Sequence, residues 1–186
     1  MIELIEASDY KAMPWKNGLG TTAQIDIFPE RAAFPGDEFQ WRLSSAKVAT
    51  SSEFSLFPKC DRWLMVWKGN GLRLNKNELR PFSPFQFSGE EKINAELLND
   101  EVVDIGLIYR RDLIFAEMKL EKFSAPSRTI HFDEGFHYII CLEKSFKVAD
   151  YTVKEGDTLK IDESPSLEFL AKDTARYLHI SLKFKA

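Results

Sequence analysis

The sequence has no apolar run near the roughly 18–20 residues of a membrane-spanning helix. Its start, Met1-Ile2-Glu3-Leu4-Ile5-Glu6, lacks the basic and apolar regions of a secretory signal, so the expected compartment is the cytoplasm. There is no basic excess. Against 25 Lys and Arg stand 29 Asp and Glu, a net charge of −4. That balance argues against bulk nucleic-acid binding, which rests on neutralising phosphates. Cysteine is scarce, and Cys60 and Cys141 form no CxxC pair, which leaves zinc-knuckle and thioredoxin-like sites without support. Both are expected as reduced, packed side chains. Histidine occurs only at 131, 137 and 179, without a metal-ligand pattern. Neither HExxH nor GxSxG nor a Walker ending is present. No metal and no catalytic residue is therefore assigned. Helical periodicity is weak, and positions 7–10 and 91–98 hold a turn of helix at most.

What is present is aromatic and β-forming. The 186 residues are 44% apolar and 13% aromatic, with 15 Phe and 4 Trp, which suits a core of bulky side chains. Apolar or alternating runs bounded by turn residues predict strands at 23–28, 39–48, 63–67, 71–74, 85–88, 103–109, 113–122, 138–142, 146–148, 158–161, 166–170 and 175–184. Many short strands predict an all-β sandwich or barrel. A faint repeat divides the chain. Trp63-Leu-Met-Val-Trp67 matches Tyr138-Ile-Ile-Cys-Leu142, and Leu72-Arg-Leu74 matches Phe146-Lys-Val148. Further on, Phe85-Gln-Phe87 is laid on Leu167-Glu-Phe169. The expected organisation is an N-terminal half, 1–111, and a C-terminal half, 112–186, packed together.

Polar residues interrupt this pattern in four places. Met13-Pro-Trp-Lys-Asn-Gly-Leu-Gly-Thr-Thr22 reads either as an anion-binding loop, with Lys16 and Asn17 on a carboxylate, or as a loop needing positive φ at Gly18 and Gly20. In 39–46, alternation puts Phe39, Trp41 and Leu43 on one face and Gln40, Arg42 and Ser44 on the other. The second face is either solvent or a polar barrel interior. Arg62 is either a rim charge paired with Asp61 or a partner of Arg42 and Lys16. Asp104 shares a face with Gly106, Ile108 and Arg110, and an Asp in an apolar strand is expensive unless paired, so an Asp104–Arg ion pair is expected. The Gly156-Asp-Thr-Leu159 segment is a hairpin-type turn of the kind found in cupins.

Taken together, Met13-Pro-Trp-Lys-Asn-Gly18, Trp41-Arg-Leu-Ser44, Phe54-Ser-Leu-Phe-Pro58, Asp61-Arg62, Gly69-Asn-Gly-Leu72, Phe87-Ser-Gly-Glu90 and Asp104…Arg110-Arg111 resemble the HutD/Ves family in order and spacing. The resemblance covers residues 8–111 well and the remainder more loosely. It implies a bicupin, two RmlC-like jelly-roll barrels in one chain, with no metal and no cofactor. It also implies a protein that binds a small carboxylate, urocanate- or formylglutamate-like, and modulates histidine utilisation or a stress response. Matching positions for the family's polar pocket are Lys16, Asn17, Thr21, Arg42, Ser44, Arg62 and Asp104. Two positions depart from the family pattern: Leu19 stands where glycine is usual, and Gly106 where asparagine is usual. The alternatives are an isomerase- or hydrolase-like enzyme using Asp104 as general base and Arg62 as electrophile, and a protein-interaction role without a small ligand. Of these, the binding protein is favoured over the enzyme, because no positioned nucleophile accompanies Asp104. Sandwich edges leave a homodimer open.

Overall fold

The computed structural model describes residues 1–15, 20–36, 38–124, 126–163 and 165–186. In chain order its strands are β1 (Ile2–Ile5), β2 (Lys11–Pro14), β3 (Gly20–Phe28), β4 (Trp41–Val48), β5 (Ser52–Glu53), β6 (Cys60–Lys68), β7 (Leu72–Leu74), β8 (Asn77–Leu79), β9 (Phe85–Ser88) and β10 (Asn94–Leu97). They continue with β11 (Val102–Arg110), β12 (Ile114–Phe123), β13 (Ser127–His131), β14 (Phe136–Glu143), β15 (Phe146–Val148), β16 (Tyr151–Val153), β17 (Thr158–Ile161), β18 (Ser166–Leu170) and β19 (Ala175–Phe184). A single 3₁₀ turn, Ala7–Asp9, is the helical element among the described residues. No helix among them is long and apolar enough to cross a membrane.

The strands form two compact units, Lys11–Ile114 and Met1–Tyr10 with Phe115–Ala186. In the first, a six-stranded sheet ordered β2-β3-β4-β11-β6-β9 faces a four-stranded sheet ordered β5-β10-β7-β8. Val48, Leu64 and Val66 of the one sheet bury against Leu72, Leu74 and Ala95 of the other. Each fully buried aliphatic side chain contributes about 1.5–3 kcal/mol relative to exposure. In the second unit, sheets ordered β1-β17-β14-β19-β12 and β13-β18-β15-β16 enclose Ile139, Cys141 and Leu159 with Phe146, Val148 and Phe169.

The two units share one path. Strands β4 to β11 form the orders β4-β11-β6-β9 and β5-β10-β7-β8, and β12 to β19 form β12-β19-β14-β17 and β13-β18-β15-β16. Eight strands in two sheets with this connectivity make a jelly roll. The sequence repeat is thus real as topology, with one misplacement. Phe85-Gln-Phe87 lies on β9, the counterpart of β17, whereas Leu167-Glu-Phe169 lies on β18, the counterpart of β10. Strand β10 holds Asn94, Ala95 and Glu96, so it offers no aromatic pair to match.

The first ten residues, placed by sequence with the N-terminal half, group with the C-terminal strands. Ile2 to Ile5 pair antiparallel with Ile161 to Thr158. Buried Asp157 accepts the Ala7 N–H at 2.9 Å and the Lys154 N–H at 3.0 Å, and the Tyr10 hydroxyl donates to the Gly156 carbonyl. Gly156 has φ 92°, as the turn requires. Both cysteines are buried and free.

Candidate functional site

Strand β11 lies between β4 and β6, and the register sets its side chains in rungs. Ile108 stands between Arg42 and Arg62, Gly106 between Ser44 and Leu64, and Asp104 between Ala46 and Val66. Alternation puts all of them on one face. Two strand spacings separate the arginines, so their Cα atoms are about 10 Å apart. This face is interior. It opens onto a cavity of ≈ 400 Å³ lined by Arg42, Ser44, Arg62, Leu64, Asp104 and Gly106, by Trp15 and Thr22, and by Phe34, Phe54 and Phe57. The cavity lies between two apolar clusters. One includes Val48 and Leu64 with Trp15 and Phe54, and the other includes Ile108 with Phe34 and Phe57.

The charges in this cavity are poorly compensated. Arg42 is 6% exposed. Its Nε donates to Gln24 Oε1 at 3.0 Å, and its guanidinium carbon lies 4.2 Å from the Phe34 ring centre. Burial pulls its pKa down to about 10. The Arg62 guanidinium lies 4.7, 5.1 and 5.6 Å from the rings of Phe54, Phe87 and Phe57, and Nη1 donates to the Ser55 carbonyl at 3.4 Å. Burial lowers it to about 10 as well, against the opposing pull of the Asp104 charge. Asp104 is 5% exposed and accepts the Ala46 N–H at 3.3 Å. Burial pushes it up to about 7, restrained by that N–H and by the Arg62 charge. Among the described residues neither guanidinium is hydrogen-bonded to a carboxylate, although the Asp104 charge acts on Arg62 and Glu53 also lines the cavity. A buried cation, Arg42, and a half-buried one, Arg62, on one rung, with aromatic walls and hydroxyls of Ser44 and Thr22 nearby, suit an anion with a small organic body.

Of the residues predicted for the site, Arg42, Ser44, Arg62 and Asp104 come together. Lys16, Asn17, Gly18 and Leu19 lie outside the described residues. Thr21 does not line the cavity; Thr22 does, because Thr22 stands opposite Ala46 on the inner face while Thr21 stands opposite Lys47. Arg62 is not a rim charge held by Asp61, whose carboxylate instead takes Arg111 Nε at 2.9 Å. Nor does Asp104 bond to an arginine; its oxygen is held by backbone. Gly20 is not in the left-handed region. It is needed because a Cβ there would stand 2.7 Å from the Lys47 carbonyl and 2.9 Å from the Trp15 ring, whose Nε1 donates to Thr22 Oγ1 at 2.8 Å. The aromatic walls were missed as site residues. Their signal was the Phe54-Ser-Leu-Phe-Pro58 segment, which carries two of them. Among the described residues no group of three or more His, Cys, Asp and Glu is placed to hold a metal ion.

Comparisons with known proteins bear on the family and the fold. A Pseudomonas putida relative named as an uncharacterised 21.2 kDa protein in the hutC 3′ region is 38% identical over 133 residues, 68% of this chain and 67% of that protein. Protein Ves of Cronobacter sakazakii is 33% identical over 125 residues, 62% of this chain and 66% of Ves. The structure of HutD from Pseudomonas fluorescens SBW25, in a formate condition, superposes with a TM-score of 0.84 at 25% identity over the whole of both chains. A bacterial pirin from Escherichia coli, solved with nickel(II), matches at TM-score 0.70 and 10% identity over 97% of this chain and 98% of the pirin, a likeness of fold. The chain is an all-β protein of two cupin units. The HutD family model matches residues 7–179, and the chain belongs to the HutD family.

Proposed function

We propose that this chain is a cytoplasmic, metal-free binding protein for a small carboxylate metabolite, urocanate- or formylglutamate-like. Through that binding it modulates histidine utilisation or, as its resemblance to Ves implies, a stress response. One observation carries the reading: Arg42 and Arg62 share a rung on the inner face of a sheet and line one cavity, and among the described residues no carboxylate is hydrogen-bonded to either. An isolated buried cation is costly, and an incoming carboxylate relieves that cost. Each charge-assisted contact is worth roughly 1.5–3 kcal/mol, so two or three, less ordering, give a dissociation constant between about micromolar and millimolar. The relative named for a hutC region supports the link to histidine utilisation.

The test is a thermal-shift and calorimetric screen of urocanate, formylglutamate, glutamate, histidine and formate against wild type and Arg42→Ala. Ligand at about a hundredfold over its dissociation constant raises stability by about 2.7 kcal/mol. The expected result is a shift by one or more of these carboxylates that vanishes in the variant. If none shifts the protein, or the variant binds as wild type does, the reading fails. A second reading is favoured by Asp104 alone. A carboxyl pushed up to about 7 exchanges its proton near neutrality, as a general acid–base requires. Turnover of urocanate or formylglutamate that is lost in Asp104→Asn would establish an enzyme; no turnover by wild type removes it.

A further inference from the structure

Gly106 is unlike every other described glycine. Gly69, Gly71, Gly135 and Gly156 have φ of 94°, 119°, 140° and 92°, which L side chains rarely adopt. Gly20, Gly36 and Gly89 have a carbonyl oxygen 2.7, 2.8 and 2.7 Å from where a Cβ would stand. Gly106 carries neither constraint. It lies in extended β11, and its Cβ would meet Leu64 Cδ1 at 3.6 Å and the Trp63 carbonyl at 3.9 Å, both ordinary contacts. Strand interiors disfavour glycine, which packs nothing and loses the most entropy on ordering. No neighbour in the protein requires the missing side chain. What lies over Gly106 is the arginine cavity.

The second unit shows the same position filled. Strands β14 and β19 pair as β6 and β11 do, and the repeat that lays Trp63 on Tyr138 lays Leu64 on Ile139. Ile139 stands opposite His179 as Leu64 stands opposite Gly106. There the His179 ring packs 5.7 Å from Phe132, and its Nε2 lies 3.1 Å from Nδ1 of His137, the counterpart of Arg62. With a side chain at this rung, the His179 ring packs against Phe132 and His137; a smaller cavity of ≈ 270 Å³ in that unit is lined by His137 but not by His179.

We propose that Gly106 is the specificity-determining position of the cavity, its bare backbone being the floor on which the ligand lies. This rests on the carboxylate-binding reading above. Rungs 108, 106 and 104 are about 6.7 Å apart along β11. A ligand whose carboxylate is held by Arg42 and Arg62 and whose far end reaches Asp104 therefore crosses Gly106. Such a ligand is an elongated carboxylate with an N–H or O–H at its far end, to donate to the Asp104 oxygen. Urocanate, with an imidazole N–H opposite its carboxylate, has that form. Formate is too short and occupies the arginine rung alone.

The experiment measures urocanate and formate affinity by calorimetry for wild type, Gly106→Ala and Gly106→Val, with a melting curve for each. The added methyl should weaken urocanate by about tenfold or more and valine should abolish its binding, while formate changes by less than about threefold. Gly106→Ala should melt at or above wild type, because a Cβ there meets only ordinary contacts. Unchanged urocanate binding in Gly106→Ala overturns the proposal. So does parallel loss of both ligands, which would mean that the methyl acts on the arginines. A Gly106→Ala protein that melts below wild type overturns it by showing that packing needs the glycine. A wild type that takes formate but not urocanate also overturns it, and leaves the carboxylate reading standing. A wild type that binds none of the carboxylates screened above overturns both.

Discussion

Arg62 holds its charge among three phenylalanine rings and one backbone carbonyl. Cation–π contacts offset about 0.5–2 kcal/mol, whereas desolvating an unpaired cation costs several kcal/mol. Burial lowers its pKa to about 10 against the pull of the nearby Asp104 charge, the direction expected where desolvation is the larger effect. We therefore expect Arg62→Met to raise stability by about 1 kcal/mol in urea titrations at pH 7.5 while removing carboxylate binding. A less stable Arg62→Met would mean that the rings hold the guanidinium at a net gain. Half of this residue's role was legible in the sequence. Alternation assigned Arg42 and Ser44 to one face but not whether that face was wet, because a solvent face and a polar interior have the same pattern. Arg62 was harder still. Asp61 beside it offered a partner in sequence, and only the turn after β11, which brings in Arg111, shows that Asp61 is already engaged.

The segment between β5 and β6 supplies Phe54, Ser55 and Phe57 to the cavity, yet β5 has only two residues of ladder. It is tied down by others. The Phe57 N–H donates to the Gly89 carbonyl at 2.7 Å, the Lys59 N–H to Glu90 Oε1 at 2.8 Å, and the Arg111 N–H to the Lys59 carbonyl at 3.1 Å. The Arg111 guanidinium closes the clasp on Asp61, Glu90 and the Cys60 carbonyl. Because Arg111 is partly exposed, Arg111→Ala should cost only about 1 kcal/mol in a urea titration. Its larger effect should be local: faster proteolytic cleavage within 54–60 and weaker carboxylate binding. Unchanged cleavage would show that the backbone bonds suffice. Elements were legible where a strand carries its own apolar pattern, as β4, β6, β11, β14 and β19 do. Strands β1, β2, β5, β8, β10, β13 and β16 were missed. All four residues of β2 are exposed, and four of five in β13, so their pairing is dictated by the partner strand rather than by their own side chains. Residues 91–98, read as at most a turn of helix, contain β10, four residues whose inward side chains are Ala95 and Leu97, while the turn read at 7–10 is present as Ala7–Asp9.

Across the whole chain, two buried groups act on stability in opposite directions, one in each unit. Burial pushes Asp104 up from 3.8 to about 7. Burial, reinforced by charge repulsion from His137 and Lys119, pulls His179 down from 6.5 to about 4. Both are thus neutral in the fold over a range where the unfolded chain would charge them. For Asp104 the native state holds the extra proton between 3.8 and about 7, so its contribution is full below 3.8 and is lost as pH rises towards 7. For His179 the unfolded state holds the extra proton between about 4 and 6.5, so its contribution is full above 6.5 and is lost as pH falls towards 4. The slopes oppose each other across that shared interval, each at about 1.4 kcal/mol per pH unit. Relative to wild type, Asp104→Asn should therefore gain stability as pH rises from 4.5 to 6.5, and His179→Gln should lose it. Urea midpoints at pH 4.5, 5.5 and 6.5 for the three proteins measure this. Where the units unfold in separate transitions, the wild-type midpoints should shift in opposite directions as pH rises, the Lys11–Ile114 unit weakening and the other strengthening. Variant profiles parallel to wild type would mean that neither group is held neutral. That would also remove the physical basis for treating Asp104 as a carboxyl poised to trade its proton with a ligand.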